Sequence, residues 1–233
     1  MNLVNANDPI LTTRCNNFDF NNTPFDPIEF SKELVKFMYD SNGIGLAANQ
    51  VGVPYRIFAM RGQPENFVCF NPRIVQPSEM QVVLEEGCLT YPGLYVKIKR
   101  PQHIRVRFQT PNGDTLTKQF TGMTARIFQH ELDHLNGIAY ISKVSRTVLE
   151  RSKDKVKKNI KKIDRLRMEA EALKNIMELK KKIETRSELI EKTAKELSEK
   201  KIEDLTGNLM KQTEKLAPIA LKEAPTTFEY TTS

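Results

Sequence analysis

The sequence predicts an α+β fold in which strands are followed by a helix that carries two histidines, and then by a long α-helical extension. Three observations lead to this prediction. Short strand-like segments fill much of the first 142 residues. A helical segment containing "QHELDHLNG" (129–137) comes directly after them. Beyond residue 145, Lys and Glu dominate, and apolar residues recur every three or four positions, as they do in amphipathic helices.

The first predicted helix covers 27–40, "PIEFSKELVKFMYD". Asp26 can cap its amino terminus, and Pro27 suits the first helical position because its missing N–H has no intrahelical acceptor there. Phe30 and Leu34 begin an apolar repeat at helical spacing. The stretch that follows, "NGIGLAANQVG" (42–52), is too rich in glycine to be a plain helix.

Six short runs of β-branched, aromatic and other apolar residues predict the strands. They are Tyr55–Met60, Phe67–Phe70, Gln81–Leu84, Leu94–Ile98, Ile104–Gln109 and Thr115–Phe120. The sequence "TPNGD" (110–114) between the last two is typical of a hairpin turn. A helix is then predicted from Gly122 to Asn136, and Gly137 is suited to end it.

Composition and charge divide the chain. It has 233 residues, of which 39% are hydrophobic, enough for one sizeable domain or for one domain plus an extension. The net charge of +7 is uneven, since residues 1–142 are neutral and residues 143–222 carry +9. Three cysteines are too few for a disulfide framework, and we see neither a secretory signal nor a membrane-spanning apolar run. These features favour a cytoplasmic protein.

Three segments are therefore predicted: a globular domain at 1–145, a basic helical extension at 146–217 and a disordered tail at 218–233. The extension can be one long helix or a helical hairpin. "TRSE" (185–188) matches a capping box and could start a second helix, and Gly207-Asn208 and Pro218 are plausible stops.

The histidine segment carries the clearest chemical pattern. His130 and His134 are four residues apart, so both rings project from one helix face and can bind a metal ion. Glu131 beside them can act as a general base. Two ordinary helix histidines are the alternative. A catalytic site usually has a third protein ligand. The candidates are Cys88 in "EEGCLTYPG" (85–93) and a downstream carboxylate such as Glu150.

Three segments taken together resemble the motifs of peptide deformylases, in the same order. They are "GIGLAANQVG" (43–52), "EGCLTYPG" (86–93) and "QHELDHLNG" (129–137). The resemblance covers about residues 1–145. It implies an α+β fold in which antiparallel or mixed strands surround a central metal-binding helix. It also implies removal of the formyl group from the amino-terminal formylmethionine of new polypeptides.

The resemblance also implies roles for individual residues. Cys88, His130 and His134 would bind one divalent metal ion, Fe(II) or Zn(II), and Glu131 would be the catalytic acid and base. Gln50 and the backbone N–H of Leu89 would steady the oxyanion. The implied substrate-binding residues are Ile44, Gly45, Gly87 and Ile127. Asn49 departs from the family pattern, which usually has proline there, and we expect the change to be tolerated.

Residues 143–167 hold eleven basic and three acidic residues, a net charge of +8. This charge predicts a contact with ribosomal RNA, although a solvated helix face is the simpler alternative. We expect no membrane contact and a monomer, with coiled-coil self-association as the other possibility. Two other functions stay open: a zinc peptidase that uses Glu150 or another downstream carboxylate, and a catalytically degenerate ribosome- or RNA-binding homologue.

Overall fold

The computed structural model describes residues 1–62 and 65–220. The chain divides into two compact units, Met1–Lys161 and Lys162–Ser233. The first unit contains all strands and the first two α-helices, and the second contains the greater part of the helical extension. The predicted α+β class is confirmed.

Helix α1 spans Pro27–Asp40, as predicted. It begins where Asp26 accepts hydrogen bonds from the backbone N–H groups of Ile28 (2.8 Å) and Glu29 (3.2 Å). Its buried face presents Leu34 and Met38 to a core cluster that also contains residues of the first two strands.

Five strands form one antiparallel sheet in the order β1-β2-β3-β6-β7. They are β1 (Gly45–Ala47), β2 (Ile57–Met60), β3 (Phe67–Pro77), β6 (His103–Gln109) and β7 (Thr115–Thr121). The predicted hairpin is confirmed, because Thr110 N–H donates to the Asp114 carbonyl at 2.8 Å between β6 and β7. Strand β1 was not predicted, since its three residues are too short to show an alternating pattern.

Strands β4 (Gln81–Cys88) and β5 (Tyr91–Pro101) form a separate antiparallel pair. Their register runs from Gln81 opposite Pro101 to Cys88 opposite Tyr91. Both strands are longer than predicted, because cross-strand pairing extends beyond the apolar runs, with a register irregularity between Glu86 and Cys88. Cys88 therefore lies at the last paired position of a strand.

Helix α2 spans Gly122–Leu135, and Gly137 follows it with φ of +70°, a conformation that favours glycine. The helix is the central element of the domain, since its apolar side chains Ala125, Phe128 and Leu135 are fully buried in the main core. This agrees with the prediction of 122–136.

Helix α3 spans Arg146–Ala220 without interruption. The hairpin alternative is therefore wrong: the "TRSE" segment and Gly207-Asn208 lie inside the helix, where pairing of each N–H with the carbonyl four residues before it outweighs the local signals. Among residues 1–62 and 65–220, no helix is both long and apolar enough to cross a membrane. The disorder predicted for 218–233 lies outside the described residues from 221 onward, and Pro218 lies within the helix.

Candidate metal centre

Three side chains of kinds that can bind a metal ion meet between β4 and α2. The Sγ atom of Cys88 lies 3.2 Å from Nε2 of His134. One donor atom each from Cys88, His130 and His134 fit within 4.8 Å of one another, and no other described residues form such a group. The i, i+4 spacing on α2 aligns the two histidines, and the end of β4 brings the thiol to them. A thiolate with two imidazoles fits zinc or iron(II).

A buried carboxylate behind the cluster orients one ligand. Glu86 Oε2 lies 2.9 Å from Nδ1 of His130. An ionised carboxylate only accepts hydrogen bonds, so Nδ1 must donate, which leaves Nε2 as the nitrogen for a metal. Arg100 pairs with the same carboxylate at 2.6 and 2.8 Å, and Arg126 pairs with it at 2.8 Å. Burial alone would raise the pKa of Glu86, but these hydrogen bonds hold it well below its usual value.

The ligands influence one another's protonation. Burial opposes ionisation of the Cys88 thiol, but its contacts with His130 and His134 lower its pKa to about 5. Burial likewise disfavours charged His130, but the neighbouring Cys88 and Glu86 raise its pKa to about 10. The paired shifts favour a Cys88 thiolate beside a charged His130 at neutral pH. The thiolate is the form of cysteine that binds metals, and His130 has to release its proton to bind one.

Glu131 is fully enclosed beside the ligands. Burial raises its pKa to about 7, against the lowering effect of His130 and His134. Its Oε2 finds no hydrogen-bond partner among the described residues. A Cβ atom at Gly45 would clash with Glu131 Oε1 and with Ile127. Glycine at position 45 therefore lets strand β1 approach the carboxylate closely.

Gln50 is held beside Cys88 by its own hydrogen bonds. Its Oε1 accepts from the backbone N–H of Ala47 at 2.9 Å, and its Nε2 donates to Thr90 Oγ1 at 3.0 Å. The same Nε2 lies 3.4 Å from Cys88 Sγ. The amide is consequently a fixed donor next to the ligand cluster.

A cleft of about 500 Å³ opens onto these groups. All four residues that the resemblance implies for substrate binding line it, together with predicted catalytic and metal-binding residues: Ile44, Gly45, Gln50, Gly87, Cys88, Leu89, Ile127, His130 and Glu131. Glu150 lies elsewhere. It is on α3, exposed, and pairs with Lys153 at 2.9 Å. The structure therefore brings Cys88 to the histidines and leaves the alternative ligand Glu150 outside the cluster.

Comparison with known proteins identifies the family. The family model described as polypeptide deformylase matches residues 1–150. The chain belongs to this family. A peptide deformylase from Wolbachia pipientis subsp. Culex pipiens is 39% identical over 173 residues, covering 67% of this chain and 93% of that protein. The chloroplastic peptide deformylase 1B of rice is 35% identical over 165 residues, which cover 67% of this chain but only 60% of the rice protein.

Solved structures of the deformylase family share the fold. The enzyme of Synechococcus elongatus in complex with actinonin has a TM-score of 0.62 and 29% identity, covering 66% of this chain and 86% of that one. The Thermotoga maritima enzyme has a TM-score of 0.57 and 35% identity, covering 62% and 97%. The family model ends at residue 150, so almost all of α3 lies outside it.

Sequence reasoning missed several residues of this deformylase site. Glu86, Arg100 and Arg126 form the buried ionic network behind His130. The alternation of β4 could have revealed Glu86, because Val82 and Leu84 share its face of the strand. The two arginines gave no signal, since a single basic residue in a strand or helix is ordinarily exposed.

Proposed function

We propose that the chain hydrolyses the formyl group from the amino-terminal formylmethionine of newly made polypeptides, with one divalent metal held by Cys88, His130 and His134. The reaction is the one that defines the family, and its products are formate and a free amine. One observation supports the assignment of residues: donor atoms of Cys88, His130 and His134 lie within 4.8 Å of one another, and Cys88, His130 and Glu131 line one cleft.

The ligand set supports Fe(II) or Zn(II), because both accept thiolate together with neutral imidazole. When bound, such an ion supplies Lewis acidity that lowers the pKa of a water molecule toward about 7. Glu86 fixes the His130 ring for this purpose through the 2.9 Å contact with Nδ1.

Glu131 moves the proton. It accepts a proton as the oxygen of the attacking water bonds to the formyl carbon. It then delivers that proton to the amine nitrogen as the C–N bond breaks. Its pKa of about 7 suits both steps, since a group that titrates near the working pH accepts and donates with comparable ease.

Gln50 and Leu89 stabilise the negative charge that develops on the formyl oxygen. The Gln50 amide is held in advance by Ala47 and Thr90, so it does not have to reorganise during the reaction. The backbone N–H of Leu89, directly after Cys88, is the second donor. Each such donor contributes about 2.7–4 kcal/mol in comparable acyl-transfer sites.

The cleft accommodates an extended peptide. Strand β1 lies at the edge of its sheet, so a substrate backbone can pair with residues 43–45 beside it. Ile44 and Ile127 line the cleft and provide apolar contacts for the methionine side chain, while Gly45 and Gly87 leave room for the peptide backbone.

Formate release from formyl-Met-Ala-Ser tests this proposal. The full-length protein is loaded separately with Fe(II), Ni(II) or Zn(II) under anaerobic conditions, and acetyl-Met-Ala-Ser is the control substrate. We expect metal-dependent formate release from the formyl peptide only. A fully loaded protein that releases none would support a degenerate homologue, and cleavage of the Met-Ala bond would support a peptidase.

The basic part of α3 supports a second element of the proposal, docking on ribosomes. Residues 143–167 carry a net charge of +8. Lys157, Lys158, Lys161 and Lys162 are exposed. The substrate emerges from ribosomes, so a docked enzyme meets it at high effective concentration. In this proposal the protein acts in the cytoplasm, as a monomer.

Reversing the charge of these four lysines to Glu tests docking. Phosphate contacts give an affinity that falls steeply with salt, so the variant should sediment less with ribosomes and show a shallower salt dependence. Its kcat on the free tripeptide should be unchanged. Unchanged ribosome binding at low salt would contradict docking, and concentration-dependent dimers would favour self-association of α3.

A further inference from the structure

Asn49 is fully buried between the two halves of the site. It lies in the short 310 helix Ala48–Val51, directly before Gln50. Its Nδ2 donates to the backbone carbonyl of His134 at 2.7 Å. One side chain therefore joins the turn that carries the Gln50 amide to the turn that carries a metal-binding histidine.

The surroundings fix which way the Asn49 amide points. Nδ2 faces two carbonyl oxygens, that of His134 at 2.7 Å and that of Ile10 at 3.4 Å. Carbonyl oxygens only accept hydrogen bonds, so the amide must present its NH2 group to them. Its Oδ1 is buried and has no partner among the described residues. Asn49 therefore acts here as a donor.

The acceptor lies in the last turn of α2, where carbonyl groups lack the usual helical partners. The N–H of Gly137 also donates to the His134 carbonyl, at 3.1 Å. The Leu135 carbonyl has other donors, the N–H of Cys15 at 2.9 Å and the guanidinium of Arg56 at 3.2 Å. Asn49 is the side chain that ties the His134 carbonyl to the loop of Gln50.

We propose that Asn49 is a positioning residue that sets the placement of the Gln50 amide relative to the metal-binding histidines; this inference rests on the proposed hydrolysis. Gln50 is tied on its other side to Thr90, two residues beyond Cys88. Asn49 and Thr90 together hold the amide between the His134 and Cys88 sides of the cluster. Without the Asn49 donor, the loop that carries Gln50 loses its hydrogen bond to the His134 carbonyl.

The variants Asn49→Asp and Asn49→Ala test this role in the full-length protein loaded with Co(II). Asp keeps the shape of the side chain but places an oxygen against the His134 carbonyl. Asn71→Ala is the matched control, because Asn71 Nδ2 also donates to a backbone carbonyl, that of Phe18 at 2.9 Å, and Asn71 does not line the cleft. The control loses the same kind of bond outside the site.

Three readouts are compared: the Co(II) absorption spectrum, the half-time of metal loss to a chelator, and kcat and KM on formyl-Met-Ala-Ser. We expect both Asn49 variants to change the spectrum and to lose metal about 10–100-fold faster. We also expect kcat to fall on a similar scale while KM stays near that of the parent, since Ile44 and Ile127 are untouched. The Asn71 variant should keep the parent spectrum and kcat even if its Tm falls.

A parent-like spectrum and kcat in both Asn49 variants, with only a lowered Tm, would overturn the inference and leave Asn49 a purely structural residue. If Asn49→Ala yields no folded protein, the isosteric Asn49→Asp decides alone. A parent protein that releases no formate refutes the proposed function instead, and the Co(II) spectrum and metal loss then still decide whether Asn49 positions the ligand side chains.

Discussion

Replacing Glu86 by Gln should weaken both the fold and metal binding. The carboxylate of Glu86 contacts Arg100 twice, at 2.6 and 2.8 Å, Arg126 at 2.8 Å and His130 Nδ1 at 2.9 Å. Each of these partners presents a hydrogen-bond donor. An amide keeps the shape, but it removes the negative charge and turns one oxygen into a donor that faces other donors.

The size of the stability loss depends on the other hydrogen-bond acceptors that Arg100 and Arg126 keep. Removing one member of a buried ion pair typically costs about 3–5 kcal/mol, because the other charge remains buried. Arg100 keeps Asp133 at 2.6 Å, and Arg126 keeps the carbonyls of Ile98 and Val82. We therefore expect the free energy of unfolding to fall by about 3 kcal/mol, the lower end of this range, and Tm to decrease by about 6–12 °C. Metal affinity should fall about 10–100-fold because the His130 ring loses its charged acceptor.

Denaturant unfolding of the metal-free protein measures the loss of stability, and chelator competition measures the loss of metal affinity. Glu85→Gln is the stability control, since Glu85 is exposed on the opposite face of β4. The pKa of Glu86 is lowered in the folded state from its ordinary value of 4.5. Its contribution is therefore complete above pH 4.5 and is lost as the pH falls toward the folded pKa. Equal stability of the Glu86 and Glu85 variants at pH 7 would show that the ionic network around Glu86 does not stabilise the fold.

Other perturbations separate chemistry, ligation and the extension. Glu131→Gln should keep the metal but lower kcat by about 10²–10⁴-fold, because an amide cannot accept the proton. A kcat near that of the parent, measured by formate release, would contradict the role of Glu131 in proton transfer. Cys88→Ala should lose bound metal and activity together, as measured by metal analysis, and full occupancy would exclude Cys88 as a ligand. Gly45→Ala should displace the Glu131 side chain and lower kcat on the order of 10²-fold. A kcat equal to that of the parent would show that β1 moves aside and that the close approach at Gly45 is not needed. A chain ending at Lys161 should fold and keep the parent kcat on a tripeptide; a metal-free product would show that the rest of α3 completes the core.

Lys161 is the last residue of the first compact unit, and it lies well beyond the last of the three motifs. The three motifs end at Gly137, which would allow truncation near residue 148. In the structure the first compact unit extends to Lys161, and Val156 of α3 lies near Gly93. The contact is tertiary, so no local pattern could have predicted it. The functional division between a catalytic domain and an extension at residue 145 stays a prediction.

Local signals predicted the elements in which backbone geometry and apolar spacing agree. Asp26 and Pro27 marked the start of α1, and Gly137 marked the end of α2, because caps and breakers act within one turn. The sequence left open whether the extension is one helix or a hairpin; the structure has one helix, in which the capping-box sequence does not start a second. The i, i+4 histidines pointed to the ligand cluster, and the resemblance implied Cys88.

The buried network behind the site could not be predicted in the same way. Arg100 reaches Glu86 and Asp133 only because β5 and α2 pack against each other, and such long-range contacts leave no periodic trace in the sequence. Asn49 was expected to be a tolerated change next to Gln50. Its hydrogen bond to His134 spans 85 residues of sequence, and we now propose that it is a functional contact.

We propose that the deformylase activity of this chain depends on one metal ion held by Cys88, His130 and His134. The most direct measurement is the rate of formate release from formyl-Met-Ala-Ser as Fe(II) is added anaerobically to metal-free protein, in parallel with bound metal per chain. We predict a rate that rises in proportion to bound metal and stops rising at about one equivalent. Formate release by the metal-free protein, or one bound equivalent without activity, would contradict the claim.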